Sequence, residues 1–132
     1  MEEPGKDAAR VFKTALFSKA ARKAHINNDE LCEAIRGVLA GQCDDLGGGV
    51  FKKRLNKNMH RGIVLSKSGP HWIYAYIFAK KDRDNIDDDE LAGFRKLAKE
   101  YGQLTAKQLS KLLDDKALME ICNENTSVRH VS

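Results

Sequence analysis

Residues 46–81 read LGGGVFKKRLNKNMHRGIVLSKSGPHWIYAYIFAKK, and this stretch decides the fold. Three apolar-rich runs within it, 50–55, 61–66 and 72–80, predict β-strands. The two connections are five residues long, too short for a crossover, so neighbouring strands are expected to be antiparallel. Strict alternation in the third run would place Trp72, Tyr74, Tyr76 and Phe78 on one face. Both faces of this run are apolar, which predicts a central strand covered by helix.

The residues before this stretch predict a strand and two helices. Residues 10–17 are interpreted as a first strand, and Ser18 is a candidate N-cap for a short helix over 18–24. Apolar spacing predicts a second helix from Asn28 to about Gly41. Residues 44–50, DDLGGGV, are interpreted as a turn into the next strand.

The residues after the stretch predict further helices. An aspartate-rich start and apolar residues at helical spacing predict a capped, amphipathic helix within 85–102. Another helical stretch opens at Thr105, and 119–121 is a candidate short element. We therefore expect an α+β fold, a small twisted, mainly antiparallel sheet with helices packed on it.

Length and composition indicate one globular domain. The chain has 132 residues and 14.8 kDa, with 42% hydrophobic and 32% charged residues, values typical of a protein that folds around a single core. We divide it into a flexible tail over 1–9, a domain over 10–116, and a C-terminal extension over 117–132 of uncertain structure.

Cysteine usage and hydropathy predict a cytoplasmic protein. Cys32, Cys43 and Cys122 form an odd set without a CxxC motif, so neither a disulfide framework nor a zinc site is expected. The longest apolar run, 72–79, is far too short to span a bilayer, and the polar N-terminus does not resemble a signal peptide. No membrane association is expected.

The positive charge is concentrated in the strand-rich stretch. The whole chain carries a net charge of +4, yet residues 46–81 contain eight Lys or Arg and no Asp or Glu. A fixed cationic surface attracts polyanions such as nucleic acids. The alternative is that these side chains are merely the solvated face of a half-buried sheet, but 36 residues without one acid favour a binding surface.

Motifs for several kinds of catalysis are absent. The sequence has no HExxH, GxSxG or Walker motif and no paired acids in the basic stretch, which disfavours metalloprotease, serine hydrolase, nucleotidase and glycosidase chemistry. The four histidines, His25, His60, His71 and His130, lack the spacing of metal ligands. We expect neither a metal nor a cofactor.

The clustered cations suit phosphodiester chemistry. Arginine holds two phosphate oxygens at once, and a lysine crowded by other cations can have its pKa lowered and act as a base. Attack by the 2′-hydroxyl of RNA requires no metal. Alternation on 50–55 places Lys52 and Arg54 on one face and Lys53 on the other. The same cations would also serve a protein that only binds RNA.

Three segments carry a resemblance to a known family. FSKAARKAHINNDELCEAI (17–35), DLGGGVFKKRL (45–55) and YIFAKKDRDNIDDDEL (76–91) resemble, in order and spacing, the RelE/HigB-like toxins of bacterial type II toxin–antitoxin systems. The likeness covers roughly residues 13–101. It implies a RelE-like fold and a metal-independent mRNA endoribonuclease, often active on the ribosome.

The resemblance also implies functional residues. Arg61 and Arg83 would hold the scissile phosphate, and Lys52 or Lys80 would transfer protons. The implied catalytic set is Lys52, Arg54, Arg61, Lys80 and Arg83. The implied RNA-binding set is Lys53, Lys57, His60, Lys67 and Lys81.

Two departures from the family pattern stand near these residues. The lead into the second strand is KNMHRG, with His60 where relatives carry an aromatic residue, so His60 is a candidate stacking or acid–base group. The tyrosine of archetypal RelE toxins would fall near Asp87 and is missing.

Two other functions remain open from the sequence. One is a ParE-like toxin that binds DNA gyrase without catalysis, and the other is an RNA-binding regulatory module. A toxin implies a cognate antitoxin that covers its basic face, and promoter DNA would be bound only through that complex.

Overall fold

The computed structural model describes residues 9–67 and 70–122 of the chain. Ten elements follow one another in the order β1 (Arg10–Thr14), α1 (Ala15–Lys23), α2 (Asn28–Leu39), β2 (Asp44–Gly47), β3 (Val50–Leu55), β4 (His60–Leu65), β5 (His71–Ala79), α3 (Asp88–Gly102), α4 (Ala106–Asp114) and β6 (Leu118–Ile121). The predicted α+β fold is confirmed. No helix among the described residues is both long and apolar enough to cross a membrane.

The strands form one six-stranded sheet in the order β2-β3-β4-β5-β1-β6. All neighbours are antiparallel except β1 and β5, which are parallel. β5 therefore lies inside the sheet, as its apolar faces predicted. The sheet is mainly antiparallel because short turns connect the strands from β2 to β5.

Helices cover both faces of the sheet. On one side, α1 and α2 pack over a core that includes Phe17, Leu31 and Tyr74. On the other side, α3 packs over Val50, Ile63 and other residues of the middle strands. α4 closes a smaller cluster over β1 and β6. The Tyr74 hydroxyl donates to the Leu31 carbonyl oxygen at 2.7 Å, which ties β5 to α2 and satisfies a buried polar group.

A bulge in β5 overturns the predicted alternation of its aromatic residues. Ile63 pairs with Tyr76 but the next residue, Val64, pairs with Tyr74, so β5 has one extra residue, Ala75, at this point. A bulge of this kind reverses the side-chain alternation beyond it. Trp72 and Tyr74 therefore face α1 and α2, whereas Tyr76 and Phe78 face α3.

The first strand is shorter than predicted. It ends at Thr14, whose Oγ1 accepts a hydrogen bond from the Phe17 amide at 3.0 Å and caps α1. The proposed cap, Ser18, is instead buried inside the helix. The pairing of β1 with β6 ends at Thr14, and α1 begins at the next residue.

The DLGGG segment forms a strand and a hairpin turn rather than a turn alone. Asp44–Gly47 is an edge strand paired with β3, and Gly48 and Gly49 have positive φ values of 67° and 86° in the turn. Arg95 of α3 closes over this turn, donating to the carbonyl oxygens of Leu46 at 2.6 Å and Gly47 at 3.2 Å. A Cβ at Gly48 would lie 2.6 Å from Arg95 Cγ, so any other residue at this position would displace the Arg95 side chain.

The sheet continues beyond residue 116, where the predicted domain ended. Leu118–Ile121 is a strand paired with β1. Cys32 of α2 and Cys122, directly after β6, form a disulfide, so the expectation of no disulfide is wrong. The two cysteines are 90 positions apart, and only the fold brings them together. The remaining residues of the predicted tail and extension, 1–8 and 123–132, lie outside the described residues.

Candidate active site

Three predicted site residues share one face of the sheet. Arg54 on β3 is directly opposite Arg61 on β4, and Lys52 is opposite Ile63. Ile63 is buried in the core beneath α3, and side chains two positions apart on a strand point to the same face. Lys52, Arg54 and Arg61 therefore lie on the α3 side, as alternation predicted for the first two.

Arg54 and Arg61 form what we call the arginine pair. Side chains directly opposed across antiparallel strands have Cβ atoms about 4.5–5.5 Å apart. Among the described residues, neither guanidinium has a carboxylate within 4.0 Å. Like charges in this position repel, whereas each guanidinium can donate two hydrogen bonds to a phosphate. The pair is therefore a favourable place for a phosphate group.

The turn between β3 and β4 orients Arg61. Arg61 Nη1 donates to the carbonyl oxygens of Asn58 at 3.0 Å and His60 at 3.2 Å. Asn56, Lys57 and Asn58 all have positive φ, an uncommon conformation for residues other than glycine. The backbone N–H of Asn56 donates to the Glu30 carboxylate, so α2 anchors this turn. Strained backbone of this kind often occurs at functional sites.

Lys52 forms an ion pair with a carboxylate that lies outside the basic stretch. Its ammonium is 3.6 Å from Asp44 Oδ2, and its side chain is 14% exposed. Asp44 belongs to β2, directly opposite Lys52 in the β2–β3 register. The acid-free stretch therefore does not produce an acid-free surface, because the neighbouring edge strand supplies one carboxylate.

Lys80 and Lys81 follow the end of β5 and are exposed. The Lys80 amide donates to the Met59 carbonyl oxygen at 2.9 Å, which places the Lys80 backbone beside the turn that orients Arg61. Both lysines therefore lie at the same end of the strands as the arginine pair.

Arg83 is on the α3 side of the sheet but is already engaged. Its guanidinium lies over the Phe78 ring, 5.5 Å from the centroid, and Nη1 donates to the Tyr76 hydroxyl at 3.3 Å. Nε donates to the Asn85 carbonyl oxygen at 2.9 Å, and the two terminal nitrogens bind the Glu90 carboxylate. The hydrogen bond to Glu90 and, to a lesser extent, that to Tyr76 raise the pKa of Arg83.

Two predicted RNA-binding residues face the other side of the sheet. Lys53 Nζ donates to the Gln42 carbonyl oxygen at 2.8 Å, toward α2. His60 is opposite the buried Leu55, and its Nδ1 lies 3.1 Å from Asn56 Nδ2. These positions separate Lys53 and His60 from the arginine pair.

The last two predicted RNA-binding residues lie at opposite ends of the strands. Lys57 is exposed in the turn next to Asn58, close to the arginine pair. Lys67 follows β4 at its other end, where its backbone lies against Gly49. The structure therefore does not bring Lys67 together with the arginine pair.

Sequence reasoning missed Asp44 and Tyr76 as neighbours of the site. Tyr76 was placed on the correct strand, but the bulge that turns it toward α3 has no sequence signal that we can identify. The acidic start of α3, 87–90, follows Arg83 closely in sequence, and the structure shows that Glu90 binds the Arg83 guanidinium. No group of three or more His, Cys, Asp or Glu side chains suited to a metal ion occurs within 9–67 and 70–122.

Comparison with protein families identifies the class of protein. A family model described as "RelE toxin of RelE / RelB toxin-antitoxin system" matches residues 9–121. The chain therefore belongs to the RelE toxin family, as its motifs indicated. Neither a search of curated proteins nor a search of solved structures gave a significant match. The chain is the toxin of a toxin–antitoxin system, and an antitoxin is its implied partner.

Proposed function

We propose that this toxin is an endoribonuclease that cleaves mRNA, with the arginine pair holding the scissile phosphate. The observation that carries the proposal is the direct opposition of Arg54 and Arg61 across β3 and β4, with no carboxylate partner for either among the described residues. Family membership supports the substrate, because RelE toxins generally cleave mRNA.

The proposed reaction is attack by the 2′-hydroxyl on the adjacent phosphorus. A bond forms between the 2′-oxygen and phosphorus, and the bond from phosphorus to the 5′-oxygen breaks. One proton leaves the 2′-hydroxyl for a base and another reaches the 5′-oxygen from an acid. The products are a 2′,3′-cyclic phosphate and a 5′-hydroxyl. The arginine pair stabilises the additional negative charge of the transition state.

Lys52 and Lys80 are the proposed proton carriers. Lys52 projects from the same face as the arginine pair and forms an ion pair with Asp44, while Lys80 follows β5 beside the turn that orients Arg61. Lys57 and Lys81, exposed at the same end, are proposed to contact neighbouring phosphates. Arg83 would reach the phosphate by exchanging its Glu90 carboxylate for phosphate oxygens.

We propose further that cleavage takes place in the cytoplasm on ribosome-bound mRNA and inhibits translation and growth. The cognate antitoxin would cover the cationic face and thereby silence the toxin. Promoter DNA would be bound only by the complex of the two proteins.

The test is to induce the chain alone in a bacterium and map the 5′ ends of mRNA. New ends that carry a 5′-hydroxyl are expected with the wild-type chain. The double variant Arg54→Ala/Arg61→Ala is expected to reduce their yield by more than about tenfold, because hydrogen bonds to a charged phosphate are lost. Lys107→Ala, on α4, is the matched control and should cleave like the wild type.

Three outcomes would contradict the proposal. Growth arrest without new mRNA ends would remove the nuclease assignment, and arrest with altered DNA supercoiling would favour a gyrase inhibitor. Harmless induction of a folded chain would favour a non-catalytic RNA-binding module. Purified chain with and without ribosomes then decides whether the ribosome is required.

A further inference from the structure

A second cationic surface lies on α1, on the opposite side of the sheet from the arginine pair. Residues 11–28 contain four Lys or Arg and no Asp or Glu. α1 packs on the sheet through the buried Phe17, Ser18 and Ala21, which leaves its three cations exposed. We call the set Lys13, Lys19, Arg22 and Lys23 the α1 basic surface.

The cations of this surface are close neighbours. Residues three or four positions apart on a helix are adjacent, so Lys19 lies next to both Arg22 and Lys23. Lys13 lies at the end of β1, just before α1, and its pKa is lowered by burial and, secondly, by the positive charge of Arg22. The Lys13 ammonium binds a neutral group, Asn28 Oδ1, at 2.8 Å.

No carboxylate balances this charge within the part of the chain that the structure describes. None of the four cations has an Asp or Glu oxygen within 4.0 Å. By contrast, Lys111 on α4 pairs with Asp115 at 3.2 Å. Like charges three or four residues apart on a helix repel one another, and a bound polyanion would remove that repulsion.

The chemistry of the surface favours the backbone of a double helix over a single strand. Proteins that bind single-stranded nucleic acids stack bases on exposed aromatic side chains. The two phenylalanines of this region, Phe12 and Phe17, are buried at 0% and 1% exposure, and it has no Tyr or Trp. Duplex RNA is recognised through phosphates and shape, for which exposed Lys and Arg suffice.

We propose that the α1 basic surface binds the phosphate backbone of an RNA double helix, separately from the candidate active site. The choice of RNA rests on the proposed function. The charge pattern and the separation of the two surfaces do not depend on it. A toxin built this way grips a structured RNA with one side of its sheet and presents the arginine pair on the other.

The test measures binding to a duplex of about 20 base pairs of 2′-O-methyl RNA, which cannot be cleaved through a 2′-hydroxyl. Fluorescence anisotropy gives the dissociation constant between about 50 and 200 mM salt. The variant is Lys19→Gln/Arg22→Gln/Lys23→Gln. The matched control, Lys99→Gln/Lys107→Gln/Lys111→Gln, removes three charges from exposed positions on α3 and α4.

The α1 variant is expected to lose about tenfold or more in affinity. The slope of log K against log salt concentration should become shallower by about 2 to 3. The control should change much less. An equal loss in both variants would reduce the effect to net charge and overturn the proposal. Unchanged affinity in the α1 variant would also overturn it, and an equal loss with a single-stranded RNA would overturn the choice of duplex.

A melting curve and a single-residue variant guard against a loss of affinity caused by misfolding. The melting temperature of the α1 variant should stay close to that of the wild type, because relief of charge repulsion offsets the lost interaction of Arg22 and Lys23 with the C-terminal end of α1. Should it fall instead, Arg22→Gln alone replaces the triple variant, with an expected change in slope of about 1. Because the duplex is uncleavable, the binding result stands even where mapping of mRNA ends rejects the nuclease function.

Discussion

The Glu90 carboxylate binds both terminal nitrogens of the Arg83 guanidinium, and it also accepts a hydrogen bond from the Asp87 amide at 2.8 Å, which caps α3. Together with Tyr76 and Asn85, it engages four of the five N–H groups of Arg83. The arginine that the sequence assigns to a phosphate thus also joins the start of α3 to the end of β5.

Glu90→Gln is expected to lower the melting temperature at neutral pH but not in acid. Hydrogen bonds from Arg83 and from the Asp87 backbone lower the pKa of Glu90, so its charge stabilises the folded state. That contribution is complete above 4.5, the value for the unfolded chain, and is lost as pH falls through the lower folded pKa. The test compares the melting temperatures of wild type and Glu90→Gln at neutral pH and in acid. Asp88→Asn is the control, and a difference that persists in acid would contradict it.

The same substitution is expected to tighten RNA binding. Glu90→Gln weakens the hold on Arg83 and frees N–H groups for phosphate oxygens. Binding of an uncleavable single-stranded RNA should therefore improve severalfold, and Arg83→Ala/Glu90→Gln should lose the gain. Weaker binding by Glu90→Gln would instead make Glu90 a residue that positions Arg83 for the substrate.

Neighbouring residues of β3 are expected to differ sharply in their effect on cleavage. Arg54→Ala removes one guanidinium of the arginine pair and should reduce the cleavage rate by about tenfold or more. Lys53→Ala removes the adjacent cation on the opposite face, whose Nζ binds the Gln42 carbonyl oxygen. Its effect on the rate should be much smaller. Equal losses would mean that both faces of β3 contact the substrate.

Two glycines with the same φ of 86° should differ in tolerance to alanine. A Cβ at Gly49 would lie 2.9 Å from Lys67 Cα and 3.0 Å from the Ser66 carbonyl oxygen, whereas a Cβ at Gly41 would meet nothing within 4 Å. Gly41→Ala is expected to cost about 1–2 kcal/mol from the left-handed backbone alone. Gly49→Ala should cost about 1–3 kcal/mol more, because backbone atoms must move. Urea unfolding measures both, and equal costs would refute the close contact.

Loss of the disulfide should destabilise the chain only where the bridge can form. Cys32→Ser is expected to lower the free energy of unfolding by about 2–4 kcal/mol in non-reducing buffer, since the bridge closes a long loop. With dithiothreitol, wild type and variant should unfold alike. Cys43→Ser, at the free cysteine, is the control. A difference that survives reduction would show that Cys32 acts through packing instead.

The sequence predicts the elements whose signals are local. Alternation on 50–55 separates Lys53 from Lys52 and Arg54, and the apolar faces of β5 place it inside the sheet. The aspartate-rich start of 85–102 predicts a capped helix, and the structure shows the cap as a capping box between Asp87 and Glu90.

The missed features depend on contacts between distant residues. The register of β4 and β5 shifts by one residue at Ala75, and this bulge turns Tyr76 toward Arg83. Asp44 reaches Lys52 only because a short edge strand lies beside β3. The Cys32–Cys122 bridge likewise requires β6 to return to the sheet next to β1.

The place of β1 between β5 and β6 fixes the order in which the sheet can be completed during synthesis. β1 is translated first, but it can pair with β5 only after β5 has been synthesised and with β6 only after β6 has been synthesised. The hairpin that carries the arginine pair has all its residues available well before that. A nascent chain can therefore form its basic hairpin while Val11 and Phe12 of β1 are still without one of the two strands that bury them.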